Sequence, residues 1–270
     1  MNSLADLHTH TSFSTDSEAA PELMLQKAIS LGLSAICFTD HNDYDYPKED
    51  GKTVFSLDFD SYISSIRALQ AKYRNKLPVY LGVEQGLQAS CAKRINAYDP
   101  NHELDFIIGS SHLVHGKDPY YPDFWQDSHD KDPIISYFES IYENIQCCDN
   151  YDVYGHLDYI IRYAPDQDLH YDCKLYEDLI DQILRLLIEK GKGIEINTAG
   201  LKYGLKETNP CYGILKRYRK LGGEILTIGS DGHKPEHLAY AFDRIPDIMK
   251  DCGFNYYTIF KKRKPEFIRL

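Results

Sequence analysis

Histidines and carboxylates recur in this chain directly after short apolar runs, and six of its eleven histidines occupy such positions. The segments in question are Asp6-Leu7-His8-Thr9-His10, Thr39-Asp40-His41, Glu84, Ser110-Ser111-His112, Gly155-His156-Leu157-Asp158, Glu195-Ile196-Asn197 and Ser230-Asp231-Gly232-His233. Imidazole and carboxylate groups together are the usual ligands of zinc, iron and manganese in proteins. The pattern therefore indicates a site that binds transition-metal ions.

The number of candidate ligands exceeds what one ion needs. His8 and His10 lie two residues apart on an extended segment, so both side chains point to the same side and can bind one ion. The nine candidate ligands are His8, His10, Asp16, His41, Glu84, His112, His156, Asp231 and His233. Nine ligands with a bridging carboxylate suit two or three ions about 3.5–4 Å apart, the arrangement that clamps a phosphoryl group during in-line displacement. The sequence thus predicts phosphoester hydrolysis.

Other polar residues have more ordinary explanations. Asp16, in a Ser/Thr-rich loop before a helix, has helix capping as its alternative role. The histidines that follow no predicted strand are expected to be surface or core residues: His102, His129, His170 and His237. Three acids next to candidate ligands are expected to accept hydrogen bonds from ligand imidazoles, with an exposed loop position as the alternative: Asp6, Asp40 and Asp158.

Seven strand-like apolar segments alternate with helical patterns along the chain. The predicted strands are 3–8, 34–40, 78–84, 105–111, 151–156, 193–198 and 224–230. The predicted helices are 21–32, 60–74, 88–96, 131–148, 174–190, 210–221 and 235–250. This repeated order implies parallel strands with crossover helices, and so an α/β barrel or a doubly wound sheet. In a barrel, the ligand motifs at the strand ends would meet at the C-terminal face.

Composition and charge narrow the class of protein further. The 270 residues carry a net charge of -11, which argues against a surface that binds nucleic acid and favours a small-molecule substrate. No run approaches the roughly 20 apolar residues of a membrane span, and no leader segment is visible, so a cytoplasmic location is expected. The seven cysteines are scattered and odd in number, which predicts reduced thiols.

The organisation along the chain favours one domain spanning residues 1–270, because no linker, repeat or low-complexity tract divides it. The irregular segment 113–133 is rich in aromatic residues that either cover the site or pack on the surface. The tail 255–270 is predicted to form a closing strand with a solvated basic end.

The ordered motifs resemble the PHP (polymerase and histidinol phosphatase) superfamily of metal-dependent phosphoesterases. Within it, the chain is most similar to the monofunctional histidinol-phosphatase group of histidine biosynthesis. Three segments carry that likeness: Ser110 to His115, Gly155 to Tyr163 and Asn197 to Leu201. The resemblance implies a distorted seven-stranded (β/α) TIM-like barrel, and hydrolysis of L-histidinol phosphate to L-histidinol and phosphate.

The resemblance also implies a site with three divalent ions, zinc, iron or manganese. It assigns His8, His10, Glu84 and Asp231 to the first ion, with Glu84 bridging. The other two ions would be held by His112 and His156, and by Asp16, His41 and His233. Asp16 stands where many members have His.

The same resemblance suggests residues that act on the substrate. Arg162 and His115 would bind the phosphate and assist catalysis together with Asp231, while Lys202 and Asn197 would contribute to substrate binding. Lys202 stands where some relatives have Arg, and lysine lacks the bidentate fork of arginine.

Three alternatives stay open from the sequence. The first is another phosphoesterase of the same superfamily, such as a nucleotide phosphatase or an exonuclease acting on short oligonucleotides. The second is a deaminase or amidohydrolase, whose barrels also begin with His-x-His, although strand four here offers no lysine. The third is a metal-binding protein without activity. The lack of a heptad or long apolar stripe favours a monomer or a weak dimer.

Overall fold

The structure is a computed structural model that describes residues 4–99, 103–126 and 132–270. Within these residues, eight parallel strands form one sheet. They are β1 (Ala5–Thr9), β2 (Ala35–Phe38), β3 (His41–Asp43), β4 (Val79–Gly86), β5 (Phe106–Ser110), β6 (Val153–Tyr154), β7 (Gly193–Asn197) and β8 (Leu226–Gly229). Seven of them follow the order β1-β2-β4-β5-β6-β7-β8, and the short β3 pairs with the second half of β4, on the edge opposite β5.

The sheet curves until its first and last strands meet. Thr9 forms a parallel bridge with Gly232, and the Asp231 N–H donates to the His8 carbonyl at 2.8 Å. The predicted distorted seven-stranded barrel is therefore confirmed, and β3 is a short additional strand that follows the predicted strand 34–40 and was not predicted. Every residue of β1, β2, β5, β7 and β8 is buried, as expected for barrel strands that are covered by helices.

Helices cover the outside of the barrel. In the described residues they are α1 (Pro21–Ser30), α2 (Phe59–Tyr73), α3 (Ala92–Asn96), α4 (Pro122–Gln126), α5 (Pro133–Cys147), α6 (Glu177–Glu189), α7 (Ala199–Lys202), α8 (Tyr212–Lys220) and α9 (Ile245–Cys252). Helix α6 shows why they form, since Ile180, Ile183, Leu184 and Leu187 recur at helical spacing and are all buried. No helix in the described part of the chain is long and apolar enough to span a bilayer.

The predicted helix 235–250 is wrong in its first half. The chain forms only short 3-10 turns before α9 begins at Ile245. Ala239 and Ala241 adopt left-handed backbone angles, φ 53° and 55°, which end any helical path. Pro246 lies in the first turn of α9, where its missing N–H costs nothing, whereas inside a continuous helix it would break the hydrogen-bond ladder.

The tail does not close the barrel as a single strand. It forms a separate antiparallel hairpin of β9 (Tyr256–Lys261) and β10 (Lys264–Arg269). The hairpin packs on the N-terminal end of the barrel, where Phe260 stacks on Phe106 with ring centroids 5.1 Å apart. The Arg263 N–H donates to the Asp105 carbonyl at 2.8 Å. The hairpin thus covers the end opposite the ligand motifs.

Candidate metal centre

The Glu84 carboxylate, on β4, lies at the centre of a group of histidines at the C-terminal mouth of the barrel. The neighbouring ring nitrogens belong to His8 (3.2 Å), His10 (3.5 Å) and His41 (3.0 Å) on Oε2, and to His112 (3.2 Å) and His156 (2.9 Å) on Oε1. All five histidines lie at strand ends. His8 and His10 lie at the end of β1, His41 begins β3, and His112 and His156 follow β5 and β6. A carboxylate with both oxygens facing imidazoles is placed to bridge two metal ions.

The remaining three candidate ligands lie beside this group. Asp231 Oδ1 lies 3.4 Å from His10 Nε2 and 3.5 Å from His233 Nδ1. Asp16 Oδ2 lies 3.0 Å from His233 Nε2 and 3.7 Å from His41 Nε2, on a side chain that is 42% exposed. The structure therefore brings all nine candidate ligands to one place, and Asp16 marks its solvent side.

Several triads in this group offer ligand atoms that all lie within 4.8 Å of one another. They include His8, His10 and Glu84; Glu84, His112 and His156; and His10, His41 and His233. The first two triads fall within ligand sets implied by the family resemblance, and the third places His10 where that assignment has Asp16.

Hydrogen bonds fix the orientation of three of the rings. Glu195 accepts from His8 Nδ1 at 2.7 Å, and Asp43 accepts from His112 Nδ1 at 2.7 Å. The Ser14 hydroxyl lies 3.2 Å from His10 Nδ1 and donates to Asp40 at 2.7 Å. Each bond leaves the Nε2 lone pair of the ring directed at the centre of the group, as a metal ligand requires.

The sequence analysis did not foresee that Glu195 and Asp43 hold candidate ligand rings in place. Both gave a signal: Glu195 belongs to a strand-end motif, and Asp43 lies two residues after His41 on an extended segment, so it faces the same side. The sequence could not show that their carboxylates reach ring nitrogens on other strands.

The three acids expected to accept from ligand imidazoles form no such bond, and that prediction is wrong. Their partners are Ser230 N and Ala239 N for Asp6, Thr11 N and the Ser14 hydroxyl for Asp40, and Cys211 N and the Asn209 amide for Asp158. Buried main-chain N–H groups of the irregular loops need acceptors, and these carboxylates supply them. Asp40 still acts on His10 indirectly, through Ser14.

The group contains buried polar atoms without any hydrogen-bond partner in the described residues. They are Nε2 of His8, His10 and His233, Nδ1 of His41 and His156, and Oδ2 of Asp43. Unpaired buried polar atoms are rare because each one costs free energy, so such a concentration needs an explanation. Imidazole and carboxylate atoms that converge on one space fit divalent transition-metal ions.

Without a bound ion, the local charges favour the ligand form of Glu84 and His10. At His8, His41 and His112, burial alone would lower the pKa, but the nearby carboxylates outweigh burial and raise the pKa, so an ion must displace a proton there. Burial alone would raise the pKa of Glu84, but the positive charge on the surrounding rings, His8 first, holds it well below its usual value. Burial lowers the pKa of His10, and the charges of His233 and His41 lower it further. An ionised carboxylate and a neutral imidazole are the ligand forms.

Arg162 is held rigidly at the edge of the metal centre. Its guanidinium donates to the side-chain oxygens of Asn209 (2.8 Å), Asp231 (2.7 Å) and Asn197 (2.9 Å), and the residue is only 4% exposed. Burial would raise the pKa of Asp231, but Arg162 and His8 hold it well below its usual value. A guanidinium has five N–H donors, so these three bonds leave two for a ligand.

The other proposed substrate residues lie outside the cavity that Arg162 and Asp231 line. Asn197 is fully buried behind Arg162, and the Lys202 amine donates to the Asp231 main-chain carbonyl at 3.3 Å. His115 is exposed at the tip of a turn between Val114 and Lys117, with a φ of 49°. The structure does not bring His115 to the metal centre.

Aromatic residues and a further acid line the mouth of the same cavity. They are Tyr46, Phe55, Tyr159, Tyr163, Tyr203 and Asp118. Among the described aromatics of the irregular segment, Tyr120 is 60% exposed and packs edge-on against Tyr163, while Trp125 donates its indole N–H to the Pro119 carbonyl. The described aromatic residues of that segment therefore support the rim, while Asp118 of the same segment lines the cavity. His102 and His129 lie outside the described residues.

Known proteins are similar to this chain in sequence and fold over nearly its whole length. The chain is 31% identical to histidinol-phosphatase of Lactococcus lactis subsp. lactis (strain IL1403), over 96% of this chain and 95% of that protein. It is 33% identical to a probable histidinol-phosphatase of Clostridium acetobutylicum, over 96% and 97%.

A crystal structure of the histidinol phosphate phosphatase of Lactococcus lactis subsp. lactis, complexed with zinc, L-histidinol and phosphate, matches this fold with a TM-score of 0.87. The match has 29% sequence identity and covers 97% of this chain and 98% of that one. The model of the PHP domain matches residues 6–199, well over half of the sequence. The chain belongs to the PHP domain family.

Proposed function

We propose that this chain hydrolyses L-histidinol phosphate to L-histidinol and inorganic phosphate, as a single-domain phosphatase with three divalent ions of zinc, iron or manganese. The observation that carries the proposal is the convergence of five imidazoles on the Glu84 carboxylate, with Arg162 at the edge of the same cavity. The similarity to histidinol-phosphatases over almost the full chain supports the choice of substrate.

The nine candidate ligands would hold the ions as three overlapping groups, with Glu84 shared between two of them. When bound, divalent ions lower the pKa of a coordinated water and neutralise charge on phosphoryl oxygens. Glu195, Asp43 and Ser14 keep His8, His112 and His10 turned towards the ions.

Arg162 would bind the phosphoryl group. Its bonds to Asn197, Asn209 and Asp231 fix the plane of the guanidinium before the substrate arrives, so little ordering entropy remains to be lost. Its two remaining N–H groups can donate to phosphoryl oxygens, where a charge-assisted hydrogen bond gains strength as negative charge develops.

The rim of the cavity suits an imidazole-containing leaving group. Tyr159 and Tyr163 offer ring faces and edges, and the Asp118 carboxyl, which lines the same cavity, offers negative charge. A planar group that can carry positive charge is favoured by such a combination. A nucleotide with additional phosphates would bring negative charge towards Asp118 and Asp43 instead.

The test is phosphate release from L-histidinol phosphate, p-nitrophenyl phosphate, a mononucleotide and a short oligonucleotide, with protein loaded with zinc or manganese and with metal-free protein. We expect a strong preference for L-histidinol phosphate that disappears on chelation and returns with metal. Hydrolysis of the nucleotides alone would contradict the proposed substrate but keep the metal-dependent phosphoesterase. No turnover with a full metal load would contradict both.

A further inference from the structure

A second cavity lies behind Arg162, on the side away from the metal centre. Asp158 and Asn209 form part of its wall, together with Tyr171, Cys173 and Cys211. Asn209 also accepts a hydrogen bond from Arg162 at 2.8 Å, so one residue borders both the second cavity and the guanidinium. A structural change in the second cavity can therefore alter the position of the Arg162 guanidinium without direct contact with the metal ligands.

Two thiols line this second cavity. Cys173 begins a short 3-10 helix, Cys211 immediately precedes α8, and both residues are partly exposed. A methyl group placed on Gly213 would lie 2.5 Å from Cys173 Sγ and 3.8 Å from Cys211 Sγ, so the missing side chain leaves one shared space beside both sulfurs.

The pairing distinguishes these two thiols from the others. Cys37, Cys91, Cys148 and Cys252 are buried, and Cys147 is exposed. A pair of neighbouring, partly exposed thiols can be oxidised to a disulfide, whereas an isolated buried thiol is inert. The sequence-based expectation of scattered reduced cysteines did not foresee this pair, because 38 positions along the chain separate its members.

We propose that Cys173 and Cys211 are a redox modification site, in which a reversible disulfide forms and displaces the Asn209 and Asp158 support of Arg162. The effect on activity rests on the role of Arg162 in the proposed function. The formation of the disulfide is independent of that role.

The oxidant is a peroxide. The Cys173 thiolate attacks one oxygen of hydrogen peroxide, which forms a sulfenic acid and releases hydroxide. The Cys211 thiol then attacks that sulfur, the S–S bond forms and water leaves. In total, two thiols are oxidised to one disulfide, and one peroxide is reduced to two waters. The interaction with Cys211 lowers the pKa of Cys173, which favours Cys173 as the attacking thiolate.

A chain of hydrogen bonds connects the disulfide to Arg162. The Cys211 N–H donates to Asp158 Oδ2 at 2.9 Å, and the Asn209 amide donates to Asp158 Oδ1 at 2.6 Å. Asn209 Oδ1 in turn accepts from Arg162 Nε at 2.8 Å. A disulfide requires an S–S separation of about 2.05 Å, well inside the contact distance of two thiols, so the segments that carry them must move together.

The experiment oxidises the zinc-loaded protein with hydrogen peroxide, because zinc has no redox chemistry of its own. Peptide mapping under non-reducing conditions should show a peptide that joins Cys173 to Cys211. The kcat/KM for phosphate release should fall about tenfold, as expected for a small displacement of a positioning group, and return after dithiothreitol.

Two variants control this result. Cys173→Ser should keep the activity of the reduced enzyme, form no joined peptide and lose its sensitivity to peroxide. Cys147→Ser, which removes the exposed thiol, should behave like the wild type. Absence of the joined peptide would overturn the modification site even if the enzyme is active. A joined peptide with unchanged kcat/KM would overturn the coupling to Arg162. Should L-histidinol phosphate fail as substrate, the same comparison is made with whichever phosphate ester the reduced enzyme hydrolyses.

Discussion

The two ends of the barrel treat their buried polar groups in opposite ways. At the N-terminal end, each acid under the hairpin is paired: Asp105 accepts from Leu81 N and Lys262 N, and Asp152 accepts from Ile107 N and Arg263 Nε. At the C-terminal mouth, nitrogens of five histidines converge with no hydrogen-bond partner in the described residues. Both acids at the hairpin end thus find partners within this chain, whereas the mouth provides atoms for a ligand.

This difference teaches which end contributes stability and which contributes function. Paired polar groups in a covered end stabilise the fold, and unpaired ones cost free energy that a bound ion recovers. Barrel enzymes place their chemistry at the C-terminal face and leave the other face to stability. Substitutions at the mouth should change metal content and activity, and substitutions at the hairpin should change the free energy of unfolding.

The largest effect is expected for Glu84→Gln. The amide removes the charge that faces five imidazoles and cannot bridge two cations through both of its terminal atoms. We expect kcat/KM to fall at least about 100-fold, beyond the usual cost of losing a supporting residue, with less bound metal. Metal analysis and phosphate release measure both. A variant with full metal content would remove Glu84 from the ligand set.

The next largest loss of activity is expected for Arg162→Lys. Lysine keeps the charge but cannot hold the fork that Asn197, Asn209 and Asp231 fix in Arg162. We expect a loss of about 100-fold in kcat/KM, the scale of a lost donor to developing charge, with metal content unchanged. Arg185→Lys on the exposed side of α6 is the matched control. Equal activity of the two variants would show that Arg162 does not act on the phosphate.

A smaller effect, on metal affinity, is expected for Glu195→Gln, which keeps the shape of the side chain beside His8. The neutral amide holds the Nδ1 proton of His8 less strongly, so the ring becomes a weaker ligand. Metal affinity should fall about tenfold, as is common for residues that orient a ligand. Titration with zinc measures it, and Glu189→Gln, an exposed residue of α6, serves as the control. Unchanged affinity would mean that Glu195 only supports the fold.

At the opposite end, Arg263→Ala should affect stability alone. It leaves Asp152, which is 8% exposed, without its cationic partner. We expect the free energy of unfolding to fall by about 1–3 kcal/mol, the cost of losing a hydrogen bond between two charged groups at a mostly buried acid. Denaturant unfolding measures the change, and Lys264→Ala at the exposed start of β10 is the control. A loss of bound metal in folded Arg263→Ala protein would contradict the separation of the two ends.

The sequence predicted the mouth better than the hairpin for a physical reason. Parallel strands end on one rim, so a ligand such as His156 or Asp231 could be placed from its position after an apolar run alone. The bonds from Glu195 to His8 and from Asp43 to His112 join different strands, and no local pattern encodes them. The sequence of the tail shows apolar and basic residues but does not indicate how its strands pair. Its hairpin and its position at the N-terminal end of the barrel are therefore known only from the structure.

The smallest effect is expected for His115→Ala, where the family resemblance and the structure lead to different expectations. The resemblance gives His115 a part in phosphate binding and catalysis, but the ring is exposed on a turn and does not line the cavity with Arg162. We expect kcat/KM within about twofold of the wild type, as for a surface substitution away from the site. His112→Ala, only three positions earlier in the sequence, should abolish activity under the same assay. A large loss in His115→Ala with normal metal content would show that the turn from Val114 to Lys117 closes over the mouth when substrate binds, because the ring could then reach the phosphate.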